Sequence, residues 1–180
     1  MPAPQESVDA FVERARAALP NERITSYKIR HYGSREIGDA IIALVKSGEK
    51  TGTFSLAAEF EGQAESAPAL GDHYVVTAFD GTPALLLRIT AVELVPFVGI
   101  SHEHVQVEGP KARSVAVWRK SHWEYWGAGL RTQGKEPSED MPVIFQRFEL
   151  LFHFLLGSHE FAQFDLVQFH FAVADVQYIL

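Results

Sequence analysis

A lysine and a threonine three positions apart have the side chains needed for acid–base and nucleophilic chemistry. The segment Ser47-Gly48-Glu49-Lys50-Thr51-Gly52-Thr53 places Lys50 just after a glycine that ends a predicted helix, and Thr53 at the start of a predicted strand. A lysine deprotonates a hydroxyl only when burial or a neighbouring cation lowers its pKa. The spacing does not show such burial. Taken alone, it favours the alternative of an ordinary lysine at a helix C-terminus beside a turn.

A second group of titratable residues lies between positions 102 and 108. His102 and His104 are two residues apart and so do not share a helix face, and no third ligand is nearby. Metal binding is therefore not expected. Glu108 precedes Gly109-Pro110, at the end of a predicted short helix, where a carboxylate opposes the helix dipole. That local conflict hints at a role for Glu108 other than helix stability.

The third candidate is a helix that is rich in aromatic residues. Trp118, His122 and either Tyr125 or Trp126 fall on one face of a helix predicted over residues 114–130. Such a face could stack a nucleobase. The alternative, packing against the core, is favoured because aromatic residues at helical spacing usually face the interior.

Composition and charge limit the kind of partner. Subtracting 23 acidic from 16 basic residues leaves a net charge of −7, which argues against generic binding of duplex nucleic acid. Residues 111–135 hold six cations against Glu124, a local net charge of +5, so the rest of the chain carries −12. This basic strip could attract a small anionic or nucleotide ligand, or it could simply be a solvated helix face. The chain has no cysteine, which excludes disulfides, thiolate metal sites and a cysteine nucleophile.

The periodicity of apolar residues predicts a single α+β domain. Helices are expected at 7–19, 34–47, 100–107 and 114–130, and strands at 51–58, 73–79, 84–97, 143–156 and 167–174. Strands and helices do not alternate as βαβ units, so the best architecture is a small antiparallel β-barrel flanked by helices, with an N-terminal helix. We find no secretory signal and no membrane span, and we expect a cytoplasmic protein.

Six blocks of residues, in order, resemble the ASCH domain family, and in particular its longer bacterial members. The blocks are Tyr32-Gly33-Ser34, the run from Leu44 to Thr53, Gly71-Asp72, the run from Val92 to Phe97, Trp118-Arg119-x-x-His122, and the run from Ser138 to Val143. The resemblance covers residues 27–152. It leaves an N-terminal helical extension at 1–26 and a C-terminal extension at 153–180.

The resemblance implies a PUA-like β-barrel whose cleft holds RNA or a nucleobase. Small members of the family look like amidohydrolases that act on N4-acylated cytidine with a lysine, a threonine and a glutamate, without metal or cofactor. Carried over by motif, these residues are Lys50 and Thr53, together with Glu108, which is aligned through the separate run Glu103-His104-Val105-Gln106-Val107-Glu108. The resemblance therefore favours an enzyme. The substrate-binding residues implied by the same blocks are Ser55, Arg119, His122 and Ser138. The small members have an arginine where this chain has Ser55, so that arginine is either missing or supplied from elsewhere.

Two other functions remain open, together with the role of the tail. The protein could be an RNA-binding module that uses the basic strip at 111–135, or a ribonuclease that uses Ser138 in Ser138-Glu139-Asp140. The expected partner is accordingly a nucleoside or RNA. The C-terminal extension is rich in phenylalanine between positions 161 and 171 and would be costly to expose. We expect it to form a further apolar strand that caps the barrel or pairs with a second subunit in a homodimer.

Overall fold

The computed structural model describes residues 7–153, which form a five-stranded sheet and four α-helices. The helices are α1 (Val8–Ala18), α2 (Arg35–Lys46), α3 (His102–Val105) and α4 (Val115–Thr132). The strands are β1 (Lys28–His31), β2 (Gly52–Leu56), β3 (His73–Thr77), β4 (Pro83–Pro96) and β5 (Pro142–His153). The predicted α+β class and the N-terminal helix are confirmed.

The strands form one curled half-barrel in the order β1-β3-β4-β5-β2. The β3–β4, β4–β5 and β5–β2 pairs are antiparallel, whereas β1 pairs with β3 in parallel. The β4–β5 ladder shifts register between Leu86 and Leu87 and again between Ile89 and Ala91. Such irregularities bend a strand and increase its twist, so the long ladder curls. The parallel edge strand β1 was not predicted from the sequence, because four residues are too few to show a periodicity.

Serine caps begin the first two helices where the sequence predicts them. The Ser7 hydroxyl accepts a hydrogen bond from the Ala10 amide at 3.2 Å, and the Ser34 hydroxyl accepts one from the Ile37 amide at 3.5 Å. Each bond satisfies an amide that has no partner within its helix. With its start defined in this way, α2 ends at Lys46, four residues before Lys50.

The aromatic face of α4 packs into the core. Trp118 is fully buried, and its ring centroid lies 4.7 Å from that of Phe54 and 5.4 Å from that of Phe97. Trp126 is also buried, whereas Tyr125 is 61% exposed. Trp118 and Trp126 therefore serve core packing, the alternative that the sequence favoured over base stacking. Tyr125 instead keeps most of its side chain exposed to solvent.

Two sequence-based expectations lie partly or wholly outside the described residues. The strand predicted at 143–156 is present as far as His153, and the strand at 167–174, with its proposed dimer contact, falls beyond it. Among the helices of residues 7–153, none has both the length and the apolar composition needed to cross a membrane.

Candidate active site

Lys50 and Glu108 form a buried ion pair between the start of β2 and the end of the segment that follows α3. The Lys50 amide donates to the Leu44 carbonyl at 3.0 Å, which fixes the lysine at the helix end. The Thr51 amide donates to the Val107 carbonyl at 2.9 Å and draws the two segments together. The Lys50 ammonium nitrogen then donates to a carboxylate oxygen of Glu108, and each residue is only 5% exposed.

Gly52 makes this close approach possible. A Cβ atom at position 52 would lie 2.4 Å from the backbone oxygen of Gln146 and 2.7 Å from the Val107 side chain, which is shorter than any ordinary contact. Glycine therefore lets β2 lie against both β5 and the segment that carries Glu108. The glycine between Lys50 and Thr53 is needed to bring the lysine to its carboxylate.

Thr53 and Ser55 project from the same face of β2, because side chains alternate along a strand. They are 8% and 9% exposed. The Thr53 hydroxyl has no hydrogen-bond partner among residues 7–153, and the Lys50 ammonium bonds to Glu108 rather than to Thr53. Ser55 accepts a hydrogen bond from the Gln146 side-chain amide at 3.0 Å.

A cavity of about 250 Å³ joins these side chains. It lies between β1, the start of α2, β2, Glu108 and α4. Five of the seven predicted catalytic and substrate-binding residues line it, namely Lys50, Thr53, Ser55, Glu108 and His122, and so do Tyr125 and Trp126 of the aromatic helix. The structure thus brings together a cation, a carboxylate, a free hydroxyl and an imidazole in one cavity that opens to the surface.

His122 is held in one tautomer. Its Nδ1 atom lies 2.9 Å from the Trp118 carbonyl oxygen, and its ring stacks on Trp118 with centroids 4.1 Å apart. Since a carbonyl only accepts, the proton sits on Nδ1 and the Nε2 lone pair is left to accept a hydrogen bond. Burial lowers the pKa of His122 to about 4, although the negative charge of Glu108 opposes that shift. The ring is therefore neutral at pH 7.

Arg119 and Ser138 do not reach this cavity. Arg119 donates to the backbone carbonyls of Val98 and Ile100 at 2.5 and 3.3 Å. Because it follows the inward-facing Trp118, its side chain projects about 100° further round the helix, away from the cavity. Ser138 is exposed in the loop before β5 and donates to Asp140 at 2.6 Å. The motifs that contain Arg119 and Ser138 do not show in which direction the two side chains point.

Arg30 and Glu59, which the sequence did not single out, also belong to the site. Arg30 of β1 lines the cavity, and both of its terminal nitrogens lie 3.3 Å from the side-chain oxygen of Gln146, which is fully buried on β5. The departure at Ser55 implies that the family's arginine is either missing or supplied from elsewhere. It does not say which arginine, because the pairing of β1 was not apparent from the sequence.

Glu59 contributes a further carboxylate at the rim of the cavity. The surrounding protein displaces water from this group and raises the pKa of the Glu59 carboxyl, while the charge of Arg30 offsets part of that shift. Within residues 7–153, no three histidine, aspartate or glutamate side chains cluster closely enough to hold a metal ion.

The fold and the cavity together define an α+β half-barrel domain with a pocket between its sheet and its helices that contains the Lys50–Glu108 pair. The family model of the ASCH domain matches residues 28–152, and the chain belongs to this family.

Solved structures of other proteins share the fold. The ASCH domain from Lactobacillus crispatus JV V101 is 25% identical, with a TM-score of 0.74 over 81% of this chain and 94% of that one. A protein from Enterococcus faecalis V583 is 24% identical, with a TM-score of 0.69 over 79% of this chain and 86% of that one. No curated protein matches the chain.

Proposed function

We propose that this protein hydrolyses the amide of an N4-acylated cytidine-type nucleobase or nucleoside without a metal ion. The observation that carries the proposal is the shared cavity. A buried lysine–glutamate pair and a threonine hydroxyl without a partner in the described chain line the same cavity of about 250 Å³. This is close to the lower limit of roughly 300 Å³ for small-molecule sites, so a single base or nucleoside is a suitable occupant.

Burying an ion pair is costly, which argues that the pair is retained for its chemistry. The desolvation penalty of two charges can exceed their mutual attraction, and well-packed apolar residues are often at least as stable. Lys50 and Glu108 nevertheless occupy the wall of a cavity beside a free hydroxyl. Ionisable groups held in this way are candidates for acid and base roles.

The proposed reaction has two stages. In the first stage, a proton is transferred from the Lys50 ammonium to the Glu108 carboxylate. The transfer gives an amine that can accept a proton and a carboxylic acid that can donate one. Thr53 attacks the acyl carbon while its proton passes to Lys50. The C–N bond then breaks as Glu108 protonates the leaving nitrogen, which leaves an ester on Thr53. Water attacks this ester and gives its proton to Glu108, and Lys50 returns a proton to the threonine oxygen.

The lysine must move for this reaction to begin. Its ammonium group bonds to Glu108 in the free protein and makes no hydrogen bond to Thr53. A lysine side chain has four rotatable carbon–carbon bonds, and catalytic hydrogen bonds often tighten only when substrate is bound. The proposal therefore includes a turn of the lysine end group towards Thr53 on substrate binding.

The geometry gives less support to the two other functions. Most of the six cations at 111–135 already interact within the protein: Arg113 and Arg119 bond to backbone carbonyls, Arg131 to Glu136 and Lys135 to Glu61, and Lys120 also has a partner. The strip is thus not a row of free cations for RNA. A ribonuclease based on Ser138 would need that exposed serine to work outside the cavity.

Turnover of N4-acetylcytidine tests the proposal directly. We expect cytidine and acetate to form, as followed by chromatography, and we expect Lys50→Met and Thr53→Val each to lower kcat by about 10²–10⁴-fold. Ser138→Ala is the matched control and should leave kcat within twofold. Turnover that survives Lys50→Met would overturn the mechanism. Absence of turnover on every acylated nucleoside would overturn the function.

A further inference from the structure

Arg30 is a half-buried cation that makes no direct ion pair within the described chain, although its charge acts on the Glu59 carboxyl at the cavity rim. Among residues 7–153 it forms no ion pair, whereas Arg88 contacts both Glu22 and Glu149 at 2.7 Å. Its guanidinium carbon lies 4.4 Å from the centre of the Tyr74 ring, which fixes the plane of the group. A guanidinium has five N–H donors; two of those of Arg30 point to Gln146 and the Tyr74 hydroxyl lies beside the group, so donors remain for a ligand.

The side-chain amide of Gln146 bridges Arg30 and Ser55 by hydrogen bonds. Because a guanidinium only donates, the oxygen of the Gln146 amide must face Arg30 and its nitrogen must face Ser55. Ser55 consequently accepts from Gln146, and its own O–H is left to donate. Consecutive hydrogen bonds of this kind polarise one another, which strengthens the last donor. Both Arg30 and Ser55 line the cavity that contains Thr53.

From this arrangement we infer that Arg30 and Ser55 form a paired hydrogen-bond donor site for the ring carbonyl of a pyrimidine ligand. Ser55 is two residues from Thr53 on one face of β2, a separation of about 6.6 Å along the strand. A ligand anchored at Ser55 therefore extends towards the Thr53 hydroxyl. The inference rests on the proposed function for the class of ligand, but it does not require turnover.

A pair of ligands isolates the carbonyl contact. Cytosine and 4-aminopyrimidine differ by the ring carbonyl, and their dissociation constants can be measured by calorimetry with the full-length protein. We expect the wild-type protein to bind cytosine roughly tenfold to a hundredfold more tightly, as hydrogen bonds to a charged donor suggest. Arg30→Met should remove most of that preference by weakening cytosine alone. Arg35→Met, which removes a nearby cation outside the cavity lining, should leave both constants unchanged.

Gln146→Glu separates ligand binding from a purely structural role. A carboxylate at position 146 would form an ion pair with the Arg30 guanidinium and would accept a hydrogen bond from the Ser55 hydroxyl. Both donors would then point away from the ligand. We expect cytosine affinity to fall at least tenfold with no fall in Tm. If Arg30 only holds β1 against the sheet, this variant should bind as the wild type does.

The outcomes separate this inference from the proposed function. Cytosine binding that depends on Arg30, without hydrolysis of the acylated nucleoside, keeps the donor site and overturns the reaction. Equal affinity of the wild-type protein for the two ligands overturns the donor site, even if hydrolysis is observed. Failure of the wild-type protein to bind either ligand at millimolar concentration also overturns it.

Discussion

Removing the carboxylate of Glu108 while keeping Lys50 should destabilise the protein by about 3 kcal/mol. Both residues are 5% exposed, so Glu108→Gln leaves an ammonium group buried without its counter-charge. Breaking a buried pair from one side costs roughly 3–5 kcal/mol. We expect the lower end of that range, because the adjoining cavity of about 250 Å³ lets water reach the lysine.

Removing both charges should restore most of the lost stability. In Lys50→Met/Glu108→Gln the buried cation is gone and the apolar side chain keeps nearly the same length. We expect a free energy of unfolding within about 1 kcal/mol of the wild type. Urea denaturation of the wild type, Lys50→Met, Glu108→Gln and the double variant completes a double-mutant cycle. The cycle gives the coupling energy between Lys50 and Glu108.

Two results would refute the reasoning about this pair. One is a loss below about 1 kcal/mol for Glu108→Gln, which is the magnitude of an exposed ion pair. The other is a double variant that is less stable than the sum of the two single losses predicts. A double variant that is folded and stable but inactive on N4-acetylcytidine would show that the charges serve the reaction rather than the fold.

Two further predictions concern the glycine beside Lys50 and the histidine in the cavity wall. Gly52→Ala should cost about 2–3 kcal/mol in urea denaturation, because its Cβ atom would meet the Gln146 backbone oxygen at 2.4 Å. Gly48→Ala, with open space but a φ of +76°, should cost only about 1 kcal/mol. Burial lowers the pKa of His122 from 6.5 to about 4, so the unfolded chain binds the proton more readily. Stability from this group should be complete above pH 6.5 and fall by up to about 3 kcal/mol towards pH 4. His122→Gln should remove that part of the pH dependence, and an unchanged profile would contradict the assignment.

Local patterns predicted the parts of the fold that depend on neighbouring residues. Ser7 and Ser34 begin helices because their hydroxyls bond to amides three positions later. Thr53 and Ser55 share a face because side chains alternate along any strand. Strand β1 was missed because its pairing depends on a distant segment, with Lys28 opposite Tyr74.

The direction of a side chain was harder to predict than the position of its motif. Arg119 and Ser138 belong to blocks that resemble the family, yet neither side chain enters the cavity. Arg119 turns away because the buried Trp118 fixes the rotation of α4, and a motif does not contain that angle. His122 does enter the cavity, since it lies one turn after Trp118 on the same face.

The sequence by itself determined which chemistry is available to this protein. The absence of cysteine excluded thiol chemistry, and the resemblance of the block that holds Lys50 and Thr53 implied a hydroxyl nucleophile and a lysine base. Only the tertiary structure decided which groups meet. Lys50 pairs with Glu108 across 58 positions, and Arg30 reaches Gln146 across 116. Such contacts depend on how β1, β2 and β5 pack, whereas periodicity and capping act within a single element.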